Sequence, residues 1–217
     1  MACCCTTNPI QEGANSFFSK YSALYARRFR KRGLERVQKL LLQGVRTEPI
    51  RGKEILDIGC GVGALHLTLL NEGATRSTGV DMSEGMIERA RKLSDDLGVA
   101  DRAEYLVGDF VELAGSIRES DVTLLDKSVC CYEDLDLLVR TSTAKTKRIY
   151  AVSHPKQNIF MEVAFKGHIT LARLFRWKFH PFWHDWKKLR EDIRNLGFEL
   201  VYSNATPMWQ VLVFRRV

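Results

Sequence analysis

The sequence predicts an α/β fold with a doubly wound, mostly parallel seven-stranded sheet that ends in an antiparallel hairpin. Three observations support this fold class. Short apolar runs alternate with helical segments from residue 54 onwards, glycine or aspartate follows the early runs, and two runs close the chain around a turn with Pro207. Alternating strands and helices favour parallel pairing through right-handed crossovers. A chain of 217 residues suits one domain better than two.

Each predicted strand is a run of apolar or β-branched residues bounded by turn residues. The strands are predicted at 54–58, 78–80, 103–107, 122–125, 148–153, 198–203 and 209–215. Each predicted helix carries apolar residues three or four positions apart, and several are followed by glycine. These helices are predicted at 64–71, 82–97, 135–143, 158–177 and 187–195.

The remaining segments predict the domain organisation. Residues 1–14 are small and polar and are predicted to be a flexible tail. Residues 15–217 are predicted to form a single domain. Within it we expect an N-terminal helical cap at about 15–48, which Gly33 breaks in two, and an aromatic-rich cap insertion at about 156–186.

The composition is that of a globular protein, with 45% hydrophobic and 27% charged residues. The formal net charge of +7 favours contact with anionic partners, but it does not define the fold. Much of this charge lies in a basic run at residues 27–32. Two interpretations of the run remain open, namely a solvated helix face and a nucleic-acid contact.

The cysteine pattern indicates a reducing compartment. Adjacent cysteines cannot easily reach separate disulfide partners, and six occur here, as Cys3, Cys4, Cys5, Cys60, Cys130 and Cys131. The first three are interpreted as part of the tail or, alternatively, as ligands for a soft metal, although they lack the spacing of a zinc site, and no metal site is predicted. Neither a secretory signal nor an apolar stretch of about 18 residues is found, so a cytoplasmic location is expected.

A glycine loop follows the first predicted strand and marks the candidate binding site. Gly59, Gly61 and Gly63 alternate with Cys60 and Val62 between a buried strand and a helix. Without Cβ atoms, such a loop lets a ligand approach the backbone closely. In the dinucleotide-binding fingerprint the third glycine comes one residue later, so the spacing disfavours a dinucleotide.

A carboxylate at the end of the second strand adds to this signal. Asp81 lies 20 residues after Gly61, where it can accept hydrogen bonds from both hydroxyls of a ribose. The structural alternative is that Asp81 caps the following helix, a role that Ser83 can also fill.

These motifs resemble those of the class I S-adenosylmethionine-dependent methyltransferases over about residues 50–154. The segment 57–63 resembles their first motif, Asp81 the second, and Gly108, Asp109 and Phe110 the motif that contacts adenine. The resemblance implies S-adenosylmethionine as cofactor. The residues it implies for cofactor binding are Asp57, Gly59, Cys60, Gly61, Gly63, Asp81, Met82, Asp109, Phe110 and Asp126.

The segment from Asp126 to Tyr132 is also similar to that of magnesium-protoporphyrin and related small-molecule methyltransferases. Ligands of open parallel sheets lie beyond the carboxyl ends of the strands. Catalytic roles are therefore expected for His154, Asp126 and Tyr132, with His154 as the base. A histidine before Pro155 can instead satisfy a backbone carbonyl, and Cys130 and Cys131, expected to contact the acceptor, can instead be small apolar wall residues.

Aromatic residues outside the motifs predict the acceptor site. Tyr21 and Tyr25 lie four residues apart on one helix face, and Trp183 belongs to the aromatic-rich insertion. We expect these three residues to cover an apolar acceptor. Ordinary packing on the sheet and a membrane-surface helix flanked by basic residues are the open alternatives for the insertion.

The sequence therefore predicts a methyltransferase that acts on a small, apolar or aromatic acceptor. Two alternatives remain, a nucleic-acid methyltransferase and a non-catalytic module that binds S-adenosylmethionine. Amino-methylating nucleic-acid enzymes usually carry two prolines after the fourth strand, whereas Asp126 is followed by Lys127 and Ser128. Nucleic acid is therefore the less favoured partner.

Overall fold

The computed structural model describes residues 9–177 and 179–217. The larger part of the predicted tail, including Cys3, Cys4 and Cys5, lies outside the described residues. Within the described residues, seven strands form one sheet in the order β3-β2-β1-β4-β5-β7-β6. The strands are β1 Glu54–Ile58, β2 Arg76–Asp81, β3 Ala103–Val107, β4 Ser120–Asp126, β5 Thr146–Pro155, β6 Phe198–Ala205 and β7 Trp209–Arg216.

The first five strands pair in parallel, and β7 pairs antiparallel with both β5 and β6. This confirms the predicted mostly parallel sheet with a C-terminal hairpin. The helices are α1 Pro9–Arg32, α2 Arg36–Val45, α3 Ala64–Asn71, α4 Glu84–Asp96, α5 Phe110–Leu113, α6 Leu135–Ala144, α7 Ile159–Leu174 and α8 Trp186–Asn195. None of these helices is long and apolar enough to cross a bilayer.

Helices cover both faces of the sheet and bury an apolar core against each face. On one face, α2, α3 and α4 contribute buried residues such as Leu41, Leu67 and Leu93. On the other, α5, α6 and α8 contribute Phe110, Leu138 and Trp186 among others. Strands buried on both faces explain why the predicted strands are continuous apolar runs.

The N-terminal cap differs from its predicted boundaries. Within the described residues, helix α1 already includes Pro9–Arg32, whereas the helical cap was predicted to start at about residue 15. The predicted break is present, since Gly33 adopts a left-handed φ of 65° between α1 and α2. Helix α1 thus continues through residues 9–14, which the sequence placed in the tail.

Close contact with α4 positions α1 over the carboxyl edge of the sheet. The Ser19 hydroxyl lies 2.8 Å from that of Ser83 and accepts a hydrogen bond from the Gly85 amide at 3.2 Å. A Cβ atom at Gly85 would lie only 2.9 Å from the Cα of Ser19. This glycine therefore allows the two helices to touch.

Candidate active site

A cavity of about 860 Å³ lies at the carboxyl edge of the sheet. It lies next to the point where the strand order reverses, between the parallel neighbours β1 and β4, which is where open α/β sheets bind ligands. The loops after β1, β2, β3 and β4 line one end of the cavity. Helix α1 and aromatic residues from the α7–α8 region line the other end.

The glycine loop exposes its backbone to this cavity. Gly59 and Gly61 have left-handed φ values of 69° and 55°. A Cβ atom at Gly59 would lie 2.6 Å from the Cβ of Ser128, whereas a Cβ at Gly61 would meet nothing within 4 Å. Gly61 therefore faces open space that a ligand can occupy. Gly63 does not line the cavity; it caps α3, and a Cβ there would approach the His66 ring at 3.0 Å.

Asp57 and Cys60 also line the cavity. A hydrogen bond of 2.8 Å joins the Asp57 carboxylate to Nδ1 of the buried His66, and it fixes the orientation of the carboxylate. Burial, followed by the nearby Asp81 and Asp57 charges, raises the pKa of the Cys60 thiol. Cys60 is therefore a neutral wall residue at neutral pH.

Asp81 is held at the cavity by two backbone amides. Its carboxylate oxygens accept hydrogen bonds of 2.8 Å from Gly61 and from Ser83. Burial raises the pKa of Asp81 to about 6, although both amide hydrogen bonds act in the opposite direction. The Ser83 hydroxyl caps α4 by accepting from the Met86 amide at 3.1 Å, so Asp81 is not needed as the only cap. Met82 lines the cavity next to it.

The loop after β3 is fixed by a tyrosine from the loop after β4. The Tyr132 hydroxyl donates to Asp109 at 2.6 Å and accepts from the Phe110 amide at 3.1 Å. Asp109 also caps α5 by accepting from the Val111 amide at 2.7 Å, and it does not line the cavity, whereas Gly108 and Phe110 do. Burial and the Asp109 contact raise the pKa of Tyr132. These bonds give Tyr132 a positioning role and leave it poorly suited as a proton acceptor.

Asp126 lies at the centre of a polar cluster on the cavity wall. Its carboxylate accepts hydrogen bonds from Ser153 at 2.6 Å and from the Gln38 amide at 3.1 Å. Burial raises its pKa, against the effect of the Lys127 ammonium 3.7 Å away. Lys127 also contacts Glu35 at 2.9 Å and has a left-handed φ of 59°. A non-glycine residue in this conformation is held there by its surroundings.

Aromatic side chains line the acceptor end. Tyr21 and Tyr25 of α1 line the cavity as predicted. Phe179 closes it by packing on Phe17 and Phe18 with ring centroids 5.6 and 5.2 Å apart. Phe165, Trp177 and Trp209 also contribute to the wall.

The predicted pair Cys130 and Cys131 lines the cavity between its two ends. The Cys130 thiol is 3.4 Å from the Lys127 carbonyl oxygen. A hydrogen bond with Cys130, together with burial, raises the pKa of Cys131. Both residues are small side chains on the cavity wall.

The structure does not place His154 at the cavity, and the base role expected for it is corrected. Ser153 points towards Asp126, and successive side chains of a strand point to opposite faces. His154 therefore lies on the opposite face of the sheet, where it stacks on Trp186 with ring centroids 4.8 Å apart. Its Nδ1 lies 2.8 Å from the Pro155 carbonyl oxygen. Burial lowers its pKa to about 4.

Trp183 also lies outside the cavity lining, contrary to expectation. It packs on Phe165 at 5.4 Å and on Trp186 at 6.0 Å. It therefore supports a wall residue and does not cover the acceptor itself.

The lining residues that were not predicted include three polar ones, namely Glu35, Gln38 and Ser128. Glu35 and Gln38 form a reciprocal cap at the start of α2, a pattern that is visible in the sequence, but their contact with the loop after β4 depends on the tertiary fold. The buried Ser128 hydroxyl has no hydrogen-bond partner among the described residues. A buried polar group without a partner at a cavity wall is suited to contact a ligand.

This arrangement of sheet order, glycine loop and carboxylate after β2 defines the fold and cofactor site of the class I S-adenosylmethionine-dependent methyltransferases. Residues 55–150 match a family model described as a methyltransferase domain. The chain therefore carries a methyltransferase domain of this class, for which S-adenosylmethionine is the cofactor.

Comparison with individual proteins gives the same class. The chain is 35% identical over 92 residues to ribosomal protein L11 methyltransferase from Escherichia coli (strain 55989 / EAEC), which covers 37% of this chain and 31% of that protein. It thus spans less than a third of the length of this curated relative.

Solved structures resemble the whole fold. Magnesium protoporphyrin IX methyltransferase from Synechocystis PCC 6803 with bound S-adenosylmethionine has a TM-score of 0.71 at 16% identity, covering 98% of this chain and 99% of that one. The [4+2]-cyclase SpnF has a TM-score of 0.66, also at 16% identity, covering 82% and 81% of the two chains. At these identities the similarity concerns the fold.

Proposed function

We propose that this protein transfers the methyl group of S-adenosylmethionine to a small acceptor that is apolar or aromatic. One observation carries the proposal: a single continuous cavity joins the glycine loop and Asp81 to a wall of aromatic side chains. A site of this kind, mostly apolar with a few placed polar groups, suits a small molecule.

The residues present fit the cofactor. Open space in front of Gly61 leaves room for the amino acid part, and Asp57 lines the same region. The Asp81 carboxylate is positioned to accept hydrogen bonds from the ribose hydroxyls, and Phe110 and Gly108 to contact the adenine. When bound, S-adenosylmethionine supplies a methyl group on a sulfonium that a nucleophile can attack.

The chain's contribution to the reaction is mainly orientation and exclusion of water. In-line methyl transfer requires donor and acceptor in contact, and such positioning can supply about 7–11 kcal/mol in favourable cases. The aromatic wall holds the acceptor and keeps water out. Asp126 replaces His154 as the candidate proton acceptor, because it lies at the cavity and burial raises its pKa.

The basic run at residues 27–32 gives little support to a nucleic-acid acceptor. Arg28 pairs with Glu35 at 3.4 Å, and Arg30 forms an ion pair with Asp96 on α4. Two of its charges are thus paired within the protein.

The test is calorimetric titration of the protein with S-adenosylmethionine, S-adenosylhomocysteine and NAD at one salt concentration. We expect the first two to bind and NAD not to bind. Binding of NAD alone would contradict the cofactor assignment.

A second experiment tests the acceptor class. Protein and isotopically labelled S-adenosylmethionine are incubated with flat aromatic acids, with total RNA and with ribosomal protein, and methylated products are identified by mass spectrometry. We expect label only in the aromatic acids. Label in RNA or in protein would overturn the proposed acceptor class, and binding of the cofactor without transfer would favour a non-catalytic module.

A further inference from the structure

Helix α7 has a large apolar surface that the cavity does not use. Of its residues, only Ala172 is buried. Phe160 is 83% exposed and Leu174 is 72% exposed. The other exposed large apolar residues of this helix and the turn after it are Ile159, Val163, Leu171 and Phe175, whereas the exposed Trp177 lines the cavity.

Helical geometry separates this surface from the side that lines the cavity. At about 100° per residue, Phe165 and Ala172 lie on one side of α7. Phe160, Leu171 and Leu174 lie on the other side, and the polar residues lie between the two. The exposed apolar stripe is therefore not explained by the acceptor site. Contiguous exposed apolar residues of this extent mark an interaction surface.

Basic residues border the stripe. Arg173 and Arg176 make no ion pair with any residue that the structure describes, whereas Lys166 pairs with Glu162 at 2.6 Å. The pattern of apolar residues beside cationic ones is typical of helices that lie in the interface of a lipid bilayer.

Helix α1 extends this surface across the mouth of the cavity. Leu24 is 61% exposed, and by helical geometry it lies beside Lys20, Arg27 and Lys31. Phe179, which follows α7, packs on Phe17 of α1. The two helices are thus joined by a direct contact and both present apolar and basic residues to solvent.

We propose that α7, together with the exposed side of α1, docks on the surface of an anionic lipid bilayer. The charge of the surface favours this occupant over a second copy of the chain. Two copies with net charge +7 would bring like charges together, whereas anionic headgroups complement them. Each basic residue near such a surface strengthens binding by about fivefold. The docking does not depend on the proposed activity.

The test is sedimentation of the full chain with vesicles of phosphatidylcholine alone and of phosphatidylcholine with phosphatidylglycerol. We expect the wild type to bind the anionic vesicles and to be released as salt is raised. The double variant Phe160→Ser and Leu174→Ser should bind at least about tenfold more weakly, because both side chains lose their insertion into the acyl boundary. Both positions are well exposed, so the fold should persist.

A matched control uses exposed apolar residues at the opposite, amino edge of the sheet. Val217 is 89% exposed and Leu97 is 39% exposed, and the double variant Leu97→Ser and Val217→Ser should bind like the wild type. The charge contribution is tested by Arg173→Gln and Arg176→Gln, which should bind more weakly, against the control pair Arg118→Gln and Lys147→Gln.

Several results would overturn the proposal. Equal binding by the α7 apolar variant and the wild type would mean that net charge alone attracts the protein to vesicles. Absence of binding by the wild type would exclude the lipid surface. A dimer in analytical ultracentrifugation that the α7 apolar variant abolishes, without vesicle binding, would assign the stripe to a second copy of the chain.

Discussion

The two ends of the cavity are built differently. At one end, residues that follow neighbouring strands are joined by short hydrogen bonds. At the other end, aromatic residues from distant parts of the chain pack together. Asp81 and Gly61, 20 residues apart, are joined by a hydrogen bond of 2.8 Å. Phe17 and Phe179 belong to different cap elements and meet only through ring packing at 5.6 Å. The geometry of the first end is therefore set by the sheet. The geometry of the second end is set by how the two cap segments pack on the sheet.

This difference predicts different responses to substitution. Charge-assisted hydrogen bonds have strict geometry, so loss of a single group at the polar end should lower the affinity for the cofactor steeply. Apolar packing is roughly proportional to area, so losses at the aromatic end should be graded. The experiments below test whether the two ends respond separately.

The largest expected effect is that of Asp81→Ala on cofactor affinity. The carboxylate can accept two hydrogen bonds from the ribose, each worth roughly 1.5–3 kcal/mol, so affinity for S-adenosylhomocysteine should fall by at least about 100-fold. Calorimetry measures this, and circular dichroism checks that the variant is folded. Asp95→Ala, an exposed acid on α4, is the control. Near-normal affinity in a folded Asp81→Ala protein would refute the role.

The pH dependence of the same affinity gives the next effect. The carboxylate must be ionised to accept both hydroxyl protons, and its pKa is raised to about 6 in the free protein. Affinity should therefore be constant above pH 6 and fall by about tenfold per pH unit below it. Titrations between pH 5 and 8 measure this slope. Asp81→Asn should bind weakly without the slope, and a flat wild-type profile would contradict the prediction.

At the aromatic end, Tyr21→Ala with Phe179→Ala should weaken acceptor binding. Removal of two aromatic walls should lower the affinity for the apolar probe anilinonaphthalene sulfonate by about tenfold, while cofactor affinity changes by less than about twofold. Fluorescence and calorimetry measure the two quantities. Phe175→Ala, outside the cavity lining, is the control. If cofactor affinity fell equally, the two ends would not be independent.

The smallest effect concerns the contact that positions α1. Gly85→Ala places a Cβ 2.9 Å from the Cα of Ser19, a clash with backbone that should lower the free energy of unfolding by about 1 kcal/mol. Chemical denaturation measures this change. In Gly167→Ala, where a Cβ meets nothing within 4 Å, the better helix propensity of alanine should stabilise instead. An increase in the free energy of unfolding in Gly85→Ala would mean that α1 can shift away from α4 without loss of stability.

The aromatic end of the cavity shows why sequence patterns predict only part of the site. Tyr21 and Tyr25 were predicted from a spacing of four, which is local. Trp183 has the same chemistry, but it lies behind the wall, because the path of the chain after α7 follows no regular period that a sequence reveals. The direction of an irregular segment is decided by what it packs against.

The order of strands and helices, the glycine loop and the carboxylate of Asp81 could all be predicted from the sequence. Each depends on neighbours in the chain: a period of residues, a turn that needs glycine, a strand that ends in aspartate. The tertiary structure was needed to show that Gln38 and Ser153 hydrogen-bond to Asp126, that Tyr132 fixes the Asp109 loop, and that His154 faces away from the cavity. These outcomes require contacts between residues far apart in sequence, whose geometry is set by how helices and strands pack.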